Sequence, residues 1–380
     1  MSRSAYFAIA VLIGFSFVIS VSIIEVGFRT IVPQRLVRPC TEPHPSLGTV
    51  GSTNCTYHDN WNKKFYTYQV SHNNLGFRMP HDVSLGDVNS VRILTLGDSF
   101  TYGWGVEEHQ SYVGLLRREL TQLDSKIEVI NLGVGAYSTG HHRKQLESWV
   151  PRLKPSAVII YLNNNDLKDN LIINPNYATF SIEQDSNGHL KELKPRLVFS
   201  PFKRWLQANT PHHWLNQHSH AYVGIRAILK PKANDTDAPS FTVTDKFDTA
   251  KNLLTRQVTL RHFKAIFTSL SEKGIPVRIV WIPNACKLTT GQANEKLPCL
   301  IDFEKFLEEL QLLTNEFPLV SLQDPTVELG TETLSLASKE IYFDEGHFTP
   351  RGNKLFHDFT VDPLRSWLTQ TLTNVREASP

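Results

Sequence analysis

Short apolar runs alternate with segments of helical periodicity along most of the chain, and this alternation restricts the folds open to it. Five runs are short and apolar enough to be strands: 91–96, 127–132, 156–162, 276–282 and 319–322. Five further segments place apolar residues at helical spacing: 111–123, 138–150, 248–273, 301–314 and 352–372. Strands that alternate with helices form a parallel sheet covered by helices. We therefore expect an α/β protein, a three-layer α/β/α sandwich with a mainly parallel sheet.

The N-terminus departs from this pattern. Residues 5–24 contain no charge, and a helix of twenty residues spans about 30 Å, the thickness of a bilayer's hydrocarbon core. Arg3 precedes the run, which is consistent with a cytoplasmic N-terminus and an exported C-terminal bulk. We expect a single transmembrane helix at 1–25. A cleaved signal peptide, with Ser20 and Ser22 before the cut, and a core helix of a soluble protein are the alternatives.

Four cysteines support export. The simplest of their three connectivities is two local disulfides, Cys40 with Cys55 and Cys286 with Cys299. Each would stabilise the fold by about 3 kcal/mol on the chain-entropy estimate. A zinc site is the weaker alternative, because no Cys-x-x-Cys spacing is present. Disulfides are typical of an oxidising compartment, so we expect a periplasmic or extracellular location.

The regions outside the alternating pattern suggest the domain organisation. Residues 26–65 are rich in Pro and Gly and are expected to be a linker or lead-in. The main domain is predicted at 66–375. It is interrupted at about 171–247 by a stretch rich in Pro, Asn, His and Trp, which we interpret as an insertion that covers or borders the active site.

Composition excludes one class of partner. The apolar fraction of 41% and the charged fraction of 20% are ordinary for a globular protein. A net charge of +2, with no basic run interleaved with aromatic residues, argues against a nucleic-acid partner.

Histidines raise the question of a metal. Those in the insertion match no familiar ligand spacing and are expected to be solvated: His212, His213, His218 and His220. His141 and His142 open a predicted helix and are also expected to face solvent. We expect neither a metal nor an organic cofactor.

Three polar clusters carry the chemistry. Gly97-Asp98-Ser99-Phe100 follows the first strand, Asn163-Asn164-Asn165-Asp166 follows the third, and Asp344-x-x-His347 stands before Pro350 and the closing helix. Each cluster alone is consistent with an ordinary turn, a helix cap or half of a metal site. Together they supply a hydroxyl, a base and its orienting carboxylate, and an amide for an oxyanion.

These clusters, in the order Ser, Asn, Asp, His, resemble the SGNH (GDSL-type) hydrolase superfamily over roughly residues 66–370. The resemblance implies a flavodoxin-like SGNH hydrolase fold. It also implies a nucleophile at Ser99, a base at His347, an orienting carboxylate at Asp344 and an oxyanion donor at Asn165. An α/β-hydrolase is a weaker match, because no Gly-x-Ser-x-Gly elbow surrounds the serine.

The sequence departs from the family pattern in two places. In the family, a glycine in the second conserved sequence block supplies an oxyanion-hole N–H in addition to that of the nucleophile, here Ser99. In this sequence that position is Ala136, and Gly133 and Gly135 are alternative donors. Alanine also has a backbone N–H, so the function survives if the backbone angles permit. The usual glycine of the third block is Asn163, which is expected to narrow the pocket.

Two further segments, Asn74-Leu-Gly-Phe-Arg78 and Phe100-Thr-Tyr-Gly-Trp-Gly-Val106, resemble an envelope-located bacterial branch of the superfamily. The resemblance implies a serine-dependent ester hydrolase with an acylated small molecule or glycan as its partner. The alternatives are an O-acyltransferase that acetylates an envelope polysaccharide and a non-catalytic glycan-binding scaffold.

Overall fold

The computed structural model describes these residues: 3–32, 34, 36, 40–44, 46–59, 67–87, 89–170, 182–184, 190–192, 211–229, 249–283, 303–333, 336, 338–343 and 347–377. The chain divides into two compact units. The first comprises residues 1–41 and 199–242, and the second comprises 42–198 and 243–380.

The described elements are as follows in chain order. The helices are α1 (Arg3–Thr30), α2 (Ser99–Tyr102), α3 (Tyr112–Leu123), α4 (Thr139–Leu153), α5 (Asn164–Asp169), α6 (His212–His218), α7 (His220–Leu229), α8 (Thr249–Ser271), α9 (Phe303–Asn315), α10 (Thr326–Thr333), α11 (Ser338–Ile341) and α12 (Pro350–Glu377). The strands are β1 (Thr41–His44), β2 (Gly48–Gly51), β3 (Thr56–Asp59), β4 (Tyr68–Ser71), β5 (Val91–Leu96), β6 (Ile127–Asn131), β7 (Ala157–Leu162), β8 (Ile182–Gln184), β9 (Leu190–Glu192), β10 (Val277–Trp281) and β11 (Val320–Gln323).

The second unit contains a five-stranded sheet in the order β11-β10-β7-β5-β6, and all of its pairings are parallel. β7 is buried at every position, as expected of a strand covered on both faces. β5 and β7 are neighbours in the middle of the sheet, with Leu96 opposite Ile160. The segments that follow these two strands therefore leave the sheet side by side at one edge.

Helices cover both faces of the sheet, which confirms the predicted three-layer α/β/α sandwich. One apolar core joins the sheet to α4, α8 and α9 through residues such as Leu146, Phe263 and Phe306. A second core joins the opposite face to α3 and α12, with Leu116 and Phe356 fully buried. The alternation of the two sets along each strand follows from the period of two in a pleated sheet.

The first unit contains α1, α6 and α7. α1 is long and apolar enough to cross a membrane, with a mean hydropathy of 2.7 over 18 residues and no buried residue in that window. An N-terminal helix of this length and composition serves as a membrane anchor or as a signal sequence.

The described part of the predicted linker or lead-in at 26–65 contains secondary structure. α1 continues to Thr30, and three short strands follow it. β1 pairs with β2, and β3 pairs antiparallel with β4, with Tyr57 opposite Val70. Cys40 and Cys55 are both disulfide-bonded, in agreement with the first predicted pair, whereas Cys286 and Cys299 lie outside the described residues.

Within the predicted insertion at 171–247, the described residues form the hairpin β8–β9 and the helices α6 and α7. The helices belong to the first unit. The prediction that the insertion covers or borders the active site stays a prediction.

Candidate active site

Ser99 is the first residue of α2, directly after β5, and its side chain is almost buried (8% exposed). The preceding Asp98 caps the helix, since its Oδ1 accepts a hydrogen bond from the Phe100 N–H at 2.9 Å. Gly97 allows the tight turn, because a Cβ there would lie 1.9 Å from Thr101 Oγ1. Because Ser99 is the first residue of the helix, its N–H has no acceptor within the helix.

His347 lies against this hydroxyl. Its Nε2 is 2.9 Å from Ser99 Oγ, although the two residues are 248 positions apart. The loop that carries His347 is held at both ends. Tyr342 and Phe348 form an antiparallel bridge, and the Phe343 N–H donates to the His347 carbonyl at 2.8 Å. Pro350 then begins α12, where its missing N–H costs nothing.

Two aromatic rings fix the orientation of the imidazole. Phe100 stacks on the His347 ring at 5.5 Å between centroids, and Trp104 lies at 5.5 Å with an interplanar angle of 32°. Both side chains are buried. Sequence reasoning missed this role, although both residues fall within five positions of Ser99 and such proximity could have suggested it.

The predicted orienting carboxylate, Asp344, lies outside the described residues together with 345 and 346. Its role behind His347 stays a prediction.

Asn165, in the first turn of α5, is joined to the nucleophile turn. Its Nδ2 donates to Asp98 Oδ2 at 2.6 Å. Burial raises the pKa of Asp98, while the hydrogen bonds from Asn165 and from the Phe100 N–H act in the opposite direction. An amide nitrogen has two hydrogens. One is committed to Asp98, and the second is left for another acceptor.

The second block, which contains Asn131, is hydrogen-bonded to the turn that carries Ser99. Asn131 Nδ2 donates to the Thr101 carbonyl at 2.8 Å, its Oδ1 accepts the Gly133 N–H at 2.9 Å, and the Val134 N–H donates to the Gly97 carbonyl at 3.2 Å. Among the described residues, none accepts a hydrogen bond from the amide of Ala136.

Ala136 itself has a φ of +63°. This left-handed conformation costs an L-residue roughly 1 kcal/mol relative to glycine, and the surrounding hydrogen bonds hold it in place. Alanine therefore adopts here a conformation that favours glycine, and its role as an oxyanion donor stays a prediction.

In the third block, Asp166 has a structural role. Asp166 is fully buried, and its Oδ2 accepts the Asn163 N–H at 3.0 Å, which fixes the turn between β7 and α5. Its Oδ1 lies 4.0 Å from His142 Nδ1. Burial lowers the pKa of His142 to about 3.

The expectation that His141 and His142 face solvent is wrong. They are 4% and 0% exposed. The first turn of α4 packs inward, where the His141 ring stacks on Tyr137 at 4.6 Å and its Nδ1 accepts the Ser138 N–H at 3.1 Å.

Arg78, from the Asn74–Arg78 segment, holds the loop that carries Trp104. Its buried guanidinium donates to the carbonyls of Tyr102 at 2.9 Å and Val106 at 2.6 Å, and also to that of Gly103. These three carbonyls flank the tryptophan. Sequence reasoning treated this segment only as a mark of resemblance, because an arginine gives no local sign of burial.

The described residues include no group of three His, Cys, Asp or Glu side chains placed to hold a metal. In the insertion, the expectation of solvated histidines is only partly met. His212 Nδ1 contacts Tyr222 Oη at 2.5 Å, and His220 Nδ1 accepts the Gln34 N–H at 2.9 Å. His218 is exposed.

Comparison with known proteins gives one family match. The GDSL-like lipase/acylhydrolase family matches residues 95–355, which is more than half of the chain and includes Ser99, Ala136, Asn165 and His347. No curated protein sequence matches the chain.

Several solved structures are similar over most of the chain at low sequence identity. The psychrotrophic esterase EstA from Pseudoalteromonas sp. is 13% identical, with 74% of this chain and 100% of that chain covered and a TM-score of 0.40. A putative lipolytic G-D-S-L protein from Desulfitobacterium hafniense is 16% identical, with coverage of 71% and 98% and a TM-score of 0.37. A mutant of the acetylxylan esterase Axe2 from Geobacillus stearothermophilus is 12% identical, with coverage of 72% and 94% and a TM-score of 0.41.

Proposed function

The chain belongs to the GDSL-like lipase/acylhydrolase family of ester-hydrolysing enzymes, and from that premise we propose that it is a serine esterase that forms an acyl-enzyme at Ser99. The observation that carries the proposal is the 2.9 Å contact between Ser99 Oγ and His347 Nε2. A serine hydroxyl is a weak nucleophile until a neighbouring base takes its proton.

In the proposed first step, Ser99 Oγ attacks the ester carbonyl as its proton passes to His347 Nε2. The carbonyl oxygen becomes an oxyanion, and the N–H groups of Ser99 and Ala136 and the second hydrogen of Asn165 Nδ2 donate to it. Donors that are fixed before the reaction stabilise this charge without reorganisation. Asp344 is proposed to accept from His347 Nδ1 and to stabilise the imidazolium.

The tetrahedral intermediate then expels the alcohol, which takes the proton from His347 and leaves the acyl group on Ser99. Water attacks the acyl-enzyme in the second step, with the imidazole again as base. This returns the free hydroxyl and releases the carboxylic acid. The residues named here need no redox group for either step.

O-acyl transfer to an envelope polysaccharide is the second candidate, because it uses the same residues and differs only in the acceptor. It is favoured by α1, whose length and hydropathy suit a membrane anchor. A non-catalytic scaffold is the least supported, since it gives no reason for a serine and a histidine to be held in contact.

For location we propose that α1 anchors the protein and that the main domain, at about 66–375, lies on the exported side. The disulfide-bonded Cys40 and Cys55 support export. Arg3 alone favours this orientation, but Arg29, Arg35 and Arg38 follow the apolar run, so the charges on its two sides together oppose it. The disulfide is the stronger indication, because a reducing compartment would not maintain it.

The decisive experiment is Ser99→Ala in the full-length chain. Hydrolysis of p-nitrophenyl acetate should fall by about 10⁴-fold or more, because the nucleophile is removed. Thermal unfolding should be unchanged, since the substitution deletes one small oxygen. Turnover equal to that of the parent would exclude Ser99 as the nucleophile.

Two further measurements separate the candidates. A fluorophosphonate probe should label the parent and not the Ser99→Ala variant, whereas a scaffold with an unactivated serine should react in neither form. With an acetylated donor and an oligosaccharide acceptor, an esterase releases acetate and a transferase gives the acetylated oligosaccharide.

A further inference from the structure

Glu25 is the first charged residue after the apolar run of α1. Its carboxylate caps the N-terminus of α7. It accepts hydrogen bonds from Ser219 Oγ at 2.7 Å, from the His220 N–H at 3.0 Å and from the Ala221 N–H at 3.0 Å. A carboxylate at a helix N-terminus satisfies amides that have no partner within the helix. α7 therefore begins at the level where the charge-free part of α1 ends.

The packing of the two helices is close. A Cβ on Gly224 would lie 2.2 Å from a ring carbon of Phe28, so the aromatic ring sits directly on the α7 backbone. Arg29 Nη2 donates to the His218 carbonyl at 3.2 Å. These contacts, together with the Glu25 cap, fix α7 against the last turns of α1.

α7 leaves an apolar edge uncovered. Ile225, Ile228 and Leu229 are 41%, 74% and 75% exposed, and their spacing places them along one side of the helix. Trp214 on α6 is 58% exposed. α1 is exposed along most of its length, so the uncovered apolar edge of α7 adjoins a helix that itself has the composition of a membrane span.

Charge distinguishes the same unit. Residues 1–41 and 199–242 contain nine Lys or Arg and three Asp or Glu, a net charge of +6, although the whole chain carries +2. The remainder of the chain is therefore acidic. Arg29 and Arg226 are the described basic residues next to α7. Basic residues beside an apolar helix edge are the combination that binds a membrane containing anionic lipid.

We propose that α6 and α7 form an interfacial surface that lies on the bilayer, with Ile225, Ile228 and Leu229 at the boundary of the acyl chains and the basic residues at anionic headgroups. The proposal rests on α1 being a membrane anchor, and it is independent of the chemistry at Ser99. α7 would brace the anchor helix at the membrane surface, so that the chain contacts lipid through two elements.

The test uses the full-length chain in liposomes, with a fluorophore attached to a single introduced cysteine under non-reducing conditions. Three sites are compared: Leu229→Cys on α7, Ile13→Cys within α1, and Leu312→Cys on α9. Leu312 is a matched control, because it is a leucine of similar exposure (68%) in the second unit. Quenching is measured with lipids that carry a nitroxide at a shallow or a deep position of the acyl chain.

We expect the label at Leu229→Cys to be quenched at least twofold, and more by the shallow nitroxide than by the deep one. The label at Ile13→Cys should be quenched more by the deep nitroxide, and the label at Leu312→Cys should not be quenched. Replacing part of the phosphatidylcholine by phosphatidylglycerol should increase quenching at Leu229→Cys, and 1 M salt should reverse that gain.

The outcomes separate this proposal from the anchor. Quenching at Ile13→Cys without quenching at Leu229→Cys overturns the interfacial surface and leaves the anchor intact. Absence of quenching at both sites overturns the anchor and the surface with it. A label at Leu229→Cys that is shielded from water but not quenched by lipid would show that protein covers the apolar edge of α7. Quenching that does not increase with phosphatidylglycerol would show that headgroup charge has no role in the binding.

A second variant tests what holds α7 in place. Glu25→Gln keeps the size of the side chain but replaces one accepting oxygen by an NH₂ group, which cannot accept from the α7 amides. We expect weaker quenching at Leu229→Cys in this background and no change at Ile13→Cys. Unchanged quenching at both sites would show that the Glu25 cap does not position α7.

Discussion

Two histidines lie close to the turn that carries Ser99, and their surroundings differ in almost every respect. His347 is half-exposed, lies against two aromatic rings and contacts the serine hydroxyl at 2.9 Å. His142 is fully buried, 4.0 Å from Asp166, and burial lowers its pKa to about 3. One ring is placed to exchange a proton, and the other is held neutral.

The comparison shows how burial assigns different tasks to the same side chain. A general base must lie within hydrogen-bond reach of the proton that it takes, and a half-exposed ring that faces a hydroxyl does so. Complete burial penalises the imidazolium, so a ring such as His142 contributes packing rather than catalysis. Four changes test the roles proposed for these two histidines and for the groups around Ser99, from the largest expected effect on turnover to the smallest.

His347→Gln should lower kcat for p-nitrophenyl acetate by at least 10³-fold, about 4 kcal/mol in activation free energy, because the proposed base is lost. Thermal unfolding should change little, since the side chain is half-exposed. His142→Gln is the matched control and should keep its kcat within a few-fold of the parent. If the two variants lost turnover equally, the proposed difference between the histidines would be wrong.

Asn165→Ala should lower kcat by about 10²- to 10³-fold with little change in KM, because the second hydrogen of the amide, the one not donated to Asp98, is proposed to donate only to the oxyanion of the transition state. Asn164→Ala, one position earlier in α5, is the control. Steady-state kinetics on both variants test this. A rise in KM with kcat unchanged would place Asn165 in substrate binding instead.

Trp104→Leu should lower kcat by about tenfold, because the imidazole loses one of the two rings that orient it, whereas Trp104→Phe should restore most of the loss. We expect KM to stay within a few-fold of the parent in both. Equal losses in the two variants would indicate that the bulk of the indole, and not a ring beside His347, is what the site needs.

His142→Gln should act on stability rather than turnover. Below about pH 6.5 the unfolded chain binds a proton on His142 that the folded protein does not, so stability falls as pH falls, by about 1.4 kcal/mol per pH unit for this one group. Because glutamine does not titrate, the variant should lose that part of the slope between about pH 6 and pH 4. Urea unfolding at several pH values measures it, with His109→Gln, at an exposed position, as the control. An unchanged slope would mean that folding does not lower the pKa of His142.

Local sequence patterns predicted the features of the structure that depend on residues close together in the sequence. Apolar runs and helical spacing predicted the parallel sheet, and the strand ends at Leu96 and Leu162 explain why Asp98 and Asn165 come together. The family resemblance linked His347 to Ser99 across 248 positions. Hydrophobic periodicity and motif spacing would not have paired these two residues, because a contact between residues so far apart in the sequence leaves no local pattern.

What the sequence did not predict depends on long-range packing. Arg78 would be expected at the surface, yet it is buried because three carbonyls of one loop accept its hydrogen bonds. His142 belongs to a polar segment, yet it is buried because the first turn of α4 packs inward. The strand Thr56–Asp59 is polar in composition, and its pairing with Tyr68–Ser71 stabilises it.

The 2.6 Å hydrogen bond between Asn165 Nδ2 and Asp98 Oδ2 has a further consequence. Each group satisfies the other in a place with little access to water, so removing either leaves its counterpart with an unmet polar atom. Losses from the two single substitutions should therefore overlap in a double-mutant cycle, and the pair behaves as one energetic unit. An evolving sequence would have to change both positions together or retain both.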